Sequence, residues 1–287
     1  MDETSPLSVF WRDDRLPFIE ARVVDDGRRV CYAKHSHETF SLGAITGGSS
    51  TYLNRDFSTT VGAGTLVLMN PADVHACNSI DDRPWSYRML YVDTRWLASL
   101  QGGGGASPSH YLPYTAVMSR DADVYARFNQ FFVQLVSDAV SSGDKQRLAE
   151  VFFRDFDERM QSDSAGVKVE SSRLFKAATL IAENFKEPLS LAELCQVADL
   201  SRSHFIREFK VHFGLAPHAY LVNRRIQFAR AQLKVGRAIA DVAVDAGFAD
   251  QAHLQRAFKK HLAATPGHYR GHTEASARQQ IHRTGSQ

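Results

Sequence analysis

The sequence predicts an α+β protein of two domains: a small β-barrel followed by two helices, then an all-α domain built from two helix-turn-helix units. Three observations carry that expectation. Residues 18–93 hold short β-forming runs broken by turn residues. From Asp121 apolar residues recur at helical spacing instead. Between Leu191 and Tyr269 one helix-turn-helix pattern is written twice. The chain has 287 residues and is 44% hydrophobic, enough for two cores.

The β-rich runs are Val30-Cys31-Tyr32-Ala33, Phe40–Ile45, Thr65–Met69 and Tyr87–Val92. Gly47-Gly48, Asn54-Arg55-Asp56, Gly62-Ala63-Gly64 and Asp81-Asp82 punctuate them. Such spacing suits a small barrel or sandwich. Residues 101–108, with four consecutive glycines, read as a flexible surface loop.

Val124, Phe128, Phe131 and Leu135, widened by Phe132, form one helical stripe; Leu148, Phe152 and Phe156 form a second. The two helices join near Ser141-Ser142-Gly143. Their apolar faces have two readings: packing within the domain, or a homodimer interface through residues 121–160. Residues 161–171 read as a linker.

The rest is helical. Ser171-Ser172 precede a helix ending near Phe185, and Pro188 closes its exit turn. Ser190 and Glu193 have capping-box spacing. Ser201 and Asp250 are placed to cap the helices after them. Pro217 opens a helix running to about Leu233, which spans about 25 Å at 1.5 Å per residue. The predicted domains are thus 1–160, a linker 161–171, 172–272, and a disordered tail 273–287.

The two copies agree in detail. Leu191-Ala192-Glu193-Leu194-Cys195 matches Ile239-Ala240-Asp241-Val242-Ala243 at an offset of 48. From His204/His253 through Tyr220/Tyr269 the offset is 49, so the second copy carries one extra residue near its turn. Phe205, Phe209 and either His212 or Phe213 mark the core face of the first recognition helix. Leu254, Phe258 and either His261 or Leu262 mark the second. The opposite faces carry Arg202, Ser203, Ile206, Arg207 and Lys210, and Gln251, Ala252, Gln255, Arg256 and Lys259. Arg can donate twice to guanine O6 and N7, and Gln can bond both N6 and N7 of adenine. Lysines neutralise phosphates and fix register. Ile206 and Ala252 suit thymine methyl groups. Each of these residues also fits an ordinary solvated helix face, least so Arg207 and Arg256, which repeat at one place.

Charge agrees with this division. Residues 1–169 hold 17 Lys+Arg against 22 Asp+Glu, a net of −5; residues 170–287 hold 17 against 10, a net of +7. A basic half on an acidic half fits a nucleic-acid reader joined to another module.

The C-terminal region resembles the AraC/XylS family of bacterial transcription regulators. The resemblance rests on Ile239–Ala243, Gly247–Lys260 and Thr265-Pro266-Gly267-His268-Tyr269-Arg270, and covers about residues 172–270. It implies two helix-turn-helix units joined by one helix, base contacts from the exposed faces named above, and RNA polymerase as a partner. Ala263-Ala264 depart from the family's usual glycine, so the exit there is expected to differ from that after Gly214. Residues 18–93 are similar to the cupin-like arm of the same family, through His35-Ser36-His37 and a glycine-led strand from Gly64 ending in Pro71-Ala72-Asp73-Val74-His75. That implies a barrel binding a small-molecule effector, with His35, His37, Thr39, Tyr52, Met69, His75 and Tyr91 as candidates for its wall.

The expected function is a cytoplasmic, effector-responsive regulator, an activator, that reads two successive major grooves of double-stranded promoter DNA. The alternative is a metallo-cupin oxygenase or isomerase with a DNA-binding appendage. His35, His37, His75 and Glu38 are metal-ligand types. Glu38, however, follows His37 directly and on a strand would face away from it. No metal, cofactor or catalytic residue is therefore expected. A methyl-accepting repair protein would need clustered cysteines, but Cys31, Cys77 and Cys195 are far apart. The N-terminus lacks the apolar core of a signal peptide, and no membrane span is expected.

Overall fold

The computed structural model describes residues 8–28, 32–101, 110–160 and 172–271. Contacts divide them into two units, one of residues 8–28 and 37–160, the other of residues 32–36 and 172–270. The expected linker 161–171 and tail 273–287 lie outside the described residues, as do residues 102–108 of the glycine-rich loop and Val30 and Cys31.

In the first unit the described strands are β1 (Val9–Trp11), β2 (Ile19–Val24), β3 (Phe40–Asn54), β4 (Phe57–Gly62), β5 (Leu66–Met69), β6 (His75–Ser79), β7 (Trp85–Val92) and β8 (Met118–Ser119). All pair antiparallel, in the order β1-β2-β7-β3-β5-β8, with β4 and β6 also pairing with β3. The sheet is cupin-like but the barrel does not close: the path ends at β1 and β8, strands of three and two residues. The strand expected at residues 30–33 is not seen at Tyr32 and Ala33, which are irregular.

The fifteen-residue β3 organises this unit. Its first half pairs with β5 and β7 and its second half with β4 and β6. Between them the register shifts at Ile45/Gly47. Gly48 sits at φ +63°, and a Cβ there would stand 2.1 Å from Pro84 O, so only glycine lets the strand bend at this point.

Helix α1 (Thr94–Ala98), not among the elements expected from sequence, is short and capped by Asp93. Helices α2 (Ala122–Val136) and α3 (Ser142–Met160) follow as expected. Asp121 caps α2, accepting from the Asp123 and Val124 amides at 2.9 and 3.0 Å. The aromatic stripes of both helices pack on the sheet in one core: Phe128, Phe132, Phe153 and Phe156 join Leu42, Leu66 and Leu90. Burying one such side chain contributes about 2–3 kcal/mol. The apolar faces weighed for dimerisation are thus consumed inside the unit. What stays exposed is Val133 and Val151.

The second unit contains α4 (Ser172–Glu183), α5 (Leu191–Ala198), α6 (Arg202–Phe213), α7 (Pro217–Lys234), α8 (Ile239–Asp245), α9 (Gln251–Leu262) and α10 (Pro266–Arg270). Helices α5–α6 and α8–α9 are the two helix-turn-helix pairs, and α7 joins them. The first core gathers Leu174, Ile181, Leu194, Phe205, Phe209 and Leu221. In the second, Val242, Leu254, Phe258 and Tyr269 are fully buried, and the Phe258 and Tyr269 rings lie 5.5 Å apart.

Candidate functional sites

The repeated apolar positions turn one face of each recognition helix inward and leave the other for a partner. Phe205 and Phe209 are 0% exposed on α6; Leu254 and Phe258 are 0% exposed on α9. Of the open choices, Phe213 packs against the first core while His212 is exposed, and both His261 and Leu262 are buried in the second. The outer faces carry the predicted residues. Arg202, Ser203, Arg207, Lys210, Gln251, Ala252, Gln255, Arg256 and Lys259 are all exposed, and Ile206 is half-buried. Two more side chains share the outer face of α6 and were not singled out from sequence: His204 and Val211, the latter 75% exposed. Helical spacing from Arg207 would have found both.

The two units begin their helices differently. At α5 the capping box is complete: Ser190 Oγ accepts from the Glu193 amide at 3.2 Å and the Glu193 carboxylate accepts from the Ser190 amide at 2.8 Å. The Ser190 hydroxyl, 2.7 Å from the Glu193 carboxylate, and then the Ser190 amide hold that carboxyl below its usual pKa. At α6 Ser201 has cap geometry but its side chain makes no cap bond, contrary to expectation. At α9 Asp250 caps as expected, accepting from the His253 amide at 2.6 Å. The exits are alike, which corrects the expected difference. Gly214 takes φ 70° after α6, and Ala263 takes φ 50° after α9. Alanine fills a left-handed position that glycine would fill without steric cost.

Arg207 lies 3.2 Å from the Glu208 carboxylate, which also neighbours His204 at 3.7 Å. Helix α9 has no carboxylate in its sequence. The second recognition helix is therefore the more cationic of the two.

In the first unit two of the predicted histidines come together. The His37 and His75 rings lie edge to face at 4.7 Å, and Tyr91 meets His37 at 5.7 Å. The Asn70-Pro71-Ala72-Asp73 turn brings them there: Ala72, at φ 66°, donates its amide to His37 O at 2.9 Å. Carbonyl acceptors set the tautomers. His75 Nδ1 donates to Asp73 O (2.8 Å) and His37 Nδ1 to Thr39 O (3.0 Å). Ser41 Oγ stands 3.3 Å from His37 Nε2. Burial pushes the His75 pKa down, against the pull of its bond to Asp73 O, and favours a neutral ring. Met69 is buried on β5, which pairs with β3 beside Ser41.

Other predicted residues are placed differently. Tyr52 is fully buried, and its hydroxyl shares its one proton between Leu68 O (2.7 Å) and Val117 O (3.0 Å), a structural use. His35 belongs to the second unit. There its Nδ1 meets Ala33 O at 2.8 Å, and the next residue, Ser36, bonds with Asn223 and Gln227 of α7. Glu38 is exposed while His37 is buried, but neither lies on a strand, since β3 begins at Phe40; the expected strand alternation is not what separates them. Among the described residues no three His, Cys, Asp or Glu side chains gather where they could hold a metal ion.

A buried amide network lies beyond the residues that the sequence marks. Asn70 bonds Tyr111 OH (2.7 Å) and both backbone groups of Tyr114 (2.9 and 3.0 Å). Asn54 donates to Tyr52 OH and Leu68 O, each at 2.8 Å, while its Oδ1 finds no partner among the described residues. Little local signal marks either residue: apart from Tyr52, the partners named lie 14–44 positions away.

Comparison with known proteins agrees with this division. Residues 21–152 match the AraC-like ligand binding domain, and residues 194–272 match a helix-turn-helix domain family. An HTH-type transcriptional regulator of Bacillus subtilis, YbfI, is 26% identical over 78% of this chain and 81% of its own. The raffinose operon regulatory protein RafR of Pediococcus pentosaceus is 22% identical over 88% and 94%. Among solved structures, apo ToxT K231A of Vibrio cholerae superimposes with a TM-score of 0.57 at 16% identity, over 88% of this chain and 96% of that one. It shares the two-domain fold.

Proposed function

Because the chain belongs to the AraC/XylS family of DNA-binding, effector-responsive transcription regulators, we propose that it reads two successive major grooves, one with α6 and one with α9. One observation supports this reading above the others: two buried-core helices of equal length present Arg and Lys outward at matching positions, Arg207/Arg256 and Lys210/Lys259. Arg207, Arg256, Gln251 and Gln255 supply hydrogen bonds to base edges, with Arg202 and Ser203 at the helix start and Lys210 and Lys259 on phosphates. Ile206 and Ala252 contact thymine methyl groups. The working domains are 1–160 and 172–272, in the cytoplasm, with RNA polymerase as the protein partner of an activator.

The effector site is centred on His37 and His75, with Thr39, Met69 and Tyr91 around them. Ligand binding shifts the population between DNA-competent and incompetent states, which requires different affinity for the two. The relatives carry regulator names, and the first unit acts as a sensor, not as an enzyme. A dimer through residues 121–160 would rest on Val133 and Val151.

The test is selection of duplexes from a random library by the full chain, followed by binding measurements on Arg207→Ala and Arg256→Ala. Each is expected to lose discrimination between selected and random duplex. Unchanged discrimination in both variants would sink the assignment.

A further inference from the structure

Reading two grooves at once requires the two recognition helices to keep a set separation and twist. Two helix-turn-helix pairs joined by one helix do not guarantee that. The chain leaves α7 through Val235 and Gly236, the latter at φ +84° in open space, and α7 also meets the second pair directly, Arg230 Nε donating to Tyr269 OH at 3.0 Å. A further connection bypasses the Val235–Gly236 exit.

Residues 184–188, the loop between α4 and α5, are fixed to the middle of α7. Arg225 Nε donates to Phe185 O at 2.7 Å, and its Nη2 donates to Glu187 O at 3.1 Å. One turn along, the Phe228 ring packs on Phe185 at 5.2 Å and receives the Lys186 ammonium over its face at 4.9 Å. The same loop meets the second helix-turn-helix at its turn. Gly247, between α8 and α9, lies so close that a Cβ would stand 2.4 Å from Lys186 O and 2.9 Å from its carbonyl carbon, and its φ of +77° also calls for glycine. The entry loop of the first reading pair is thus the seat of the second pair's turn.

We propose that Arg225 and Gly247 are positioning residues for DNA recognition: they brace α5–α6 against α8–α9, so that the protein reads the spacing between its two half-sites as well as their sequence. Arg225 is suited to this because its planar fork satisfies two carbonyls at once, which a lysine ammonium does not reproduce. One inserted base pair turns the second groove by about 35° about the duplex axis, from a repeat of 10–10.5 base pairs. A braced pair cannot follow that rotation.

This inference rests on the two-groove reading, and the experiment separates the two. A duplex selected by the full chain is rebuilt with one base pair inserted or deleted between the half-sites, and as a single half-site. Wild type, Arg225→Ala, Arg225→Lys and Gly247→Ala are measured on each, with thermal melts run in parallel. Wild type is expected to lose at least tenfold on either spacing variant. The folded substituted proteins should bind the native spacing five- to twentyfold more weakly and the shifted sites little changed. Their spacing ratio then falls to within threefold, while single half-site binding stays at the wild-type level. Arg225→Lys, which keeps the charge and the alkyl stem, covers the case in which Arg225→Ala does not fold. Wild-type indifference to spacing, or full spacing discrimination retained in Arg225→Lys and Gly247→Ala, would overturn the brace while leaving sequence-specific binding intact. Failure of the wild type to select any duplex would instead remove the two-groove reading on which the brace depends.

Discussion

The two helix-turn-helix pairs are alike where they are buried and unlike where they are exposed or capped. Phe205 and Phe209 repeat as Leu254 and Phe258, all fully buried. Their caps are reversed. The first pair secures its opening helix with the Ser190–Glu193 box and leaves α6 without a side-chain cap bond; the second opens α8 at Ala238 without one and secures α9 with Asp250. On the outer faces Ile206 stands where Gln255 stands, and Arg207 has a carboxylate neighbour on its own helix where α9 offers Arg256 none. Core spacing keeps the fold of each copy the same. The faces, free of that constraint, carry different side chains.

The sharpest way to break this comparison is in the cores. Phe209→Ala and Phe258→Ala should each cost about 3–5 kcal/mol of stability, measured by denaturant melts. A large loss in one and a small loss in the other would show that the copies do not share a core plan. Next come the readers. Arg256→Ala should cost about 1–3 kcal/mol of discrimination, and Arg207→Ala less, since Arg207 must leave Glu208 to reach a base. Glu208→Gln should then bring the two arginine effects closer together in a binding assay.

The caps give a smaller effect. Asp250→Ala should destabilise by about 1 kcal/mol, whereas Ser201→Ala should change a melt very little. Equal losses would mean that Ser201 does cap α6 in solution. The smallest effect has the opposite sign. Ala263→Gly should stabilise by somewhat under 1 kcal/mol, because it relieves a left-handed alanine at a modest cost in unfolded-chain entropy.

The reader was legible in the sequence because its core residues recur at intervals of three and four, which a chain read in isolation displays. The sensor was legible only in part. Strand β2 reads Ile-Glu-Ala-Arg-Val-Val, and its charges argue against a buried strand. Yet Glu20 and Arg22 are 2% and 1% exposed. Glu20 is matched by Arg12 at 2.7 Å, and Arg22 stacks its guanidinium 4.8 Å over Phe10. Compensation by partners on β1 or just after it leaves no local mark. His35 and His37 show the same limit. Two residues apart, they were read as one wall, but Ser36 is held by Asn223, 187 positions away, and His35 goes with it to the other unit. The pairing of His37 with His75 could be anticipated because the Pro71–His75 segment carries its own turn.

The bent β3 has a further consequence. A single uninterrupted strand supplies hydrogen-bonding edges to both leaves of the sensor sheet, so neither leaf exists without the other. Backbone amides in Ser41–Ala44 and Ser50–Asn54 should therefore show one common free energy of opening in deuterium exchange. An excised fragment ending near Gly48 should remain unstructured rather than form half a sensor.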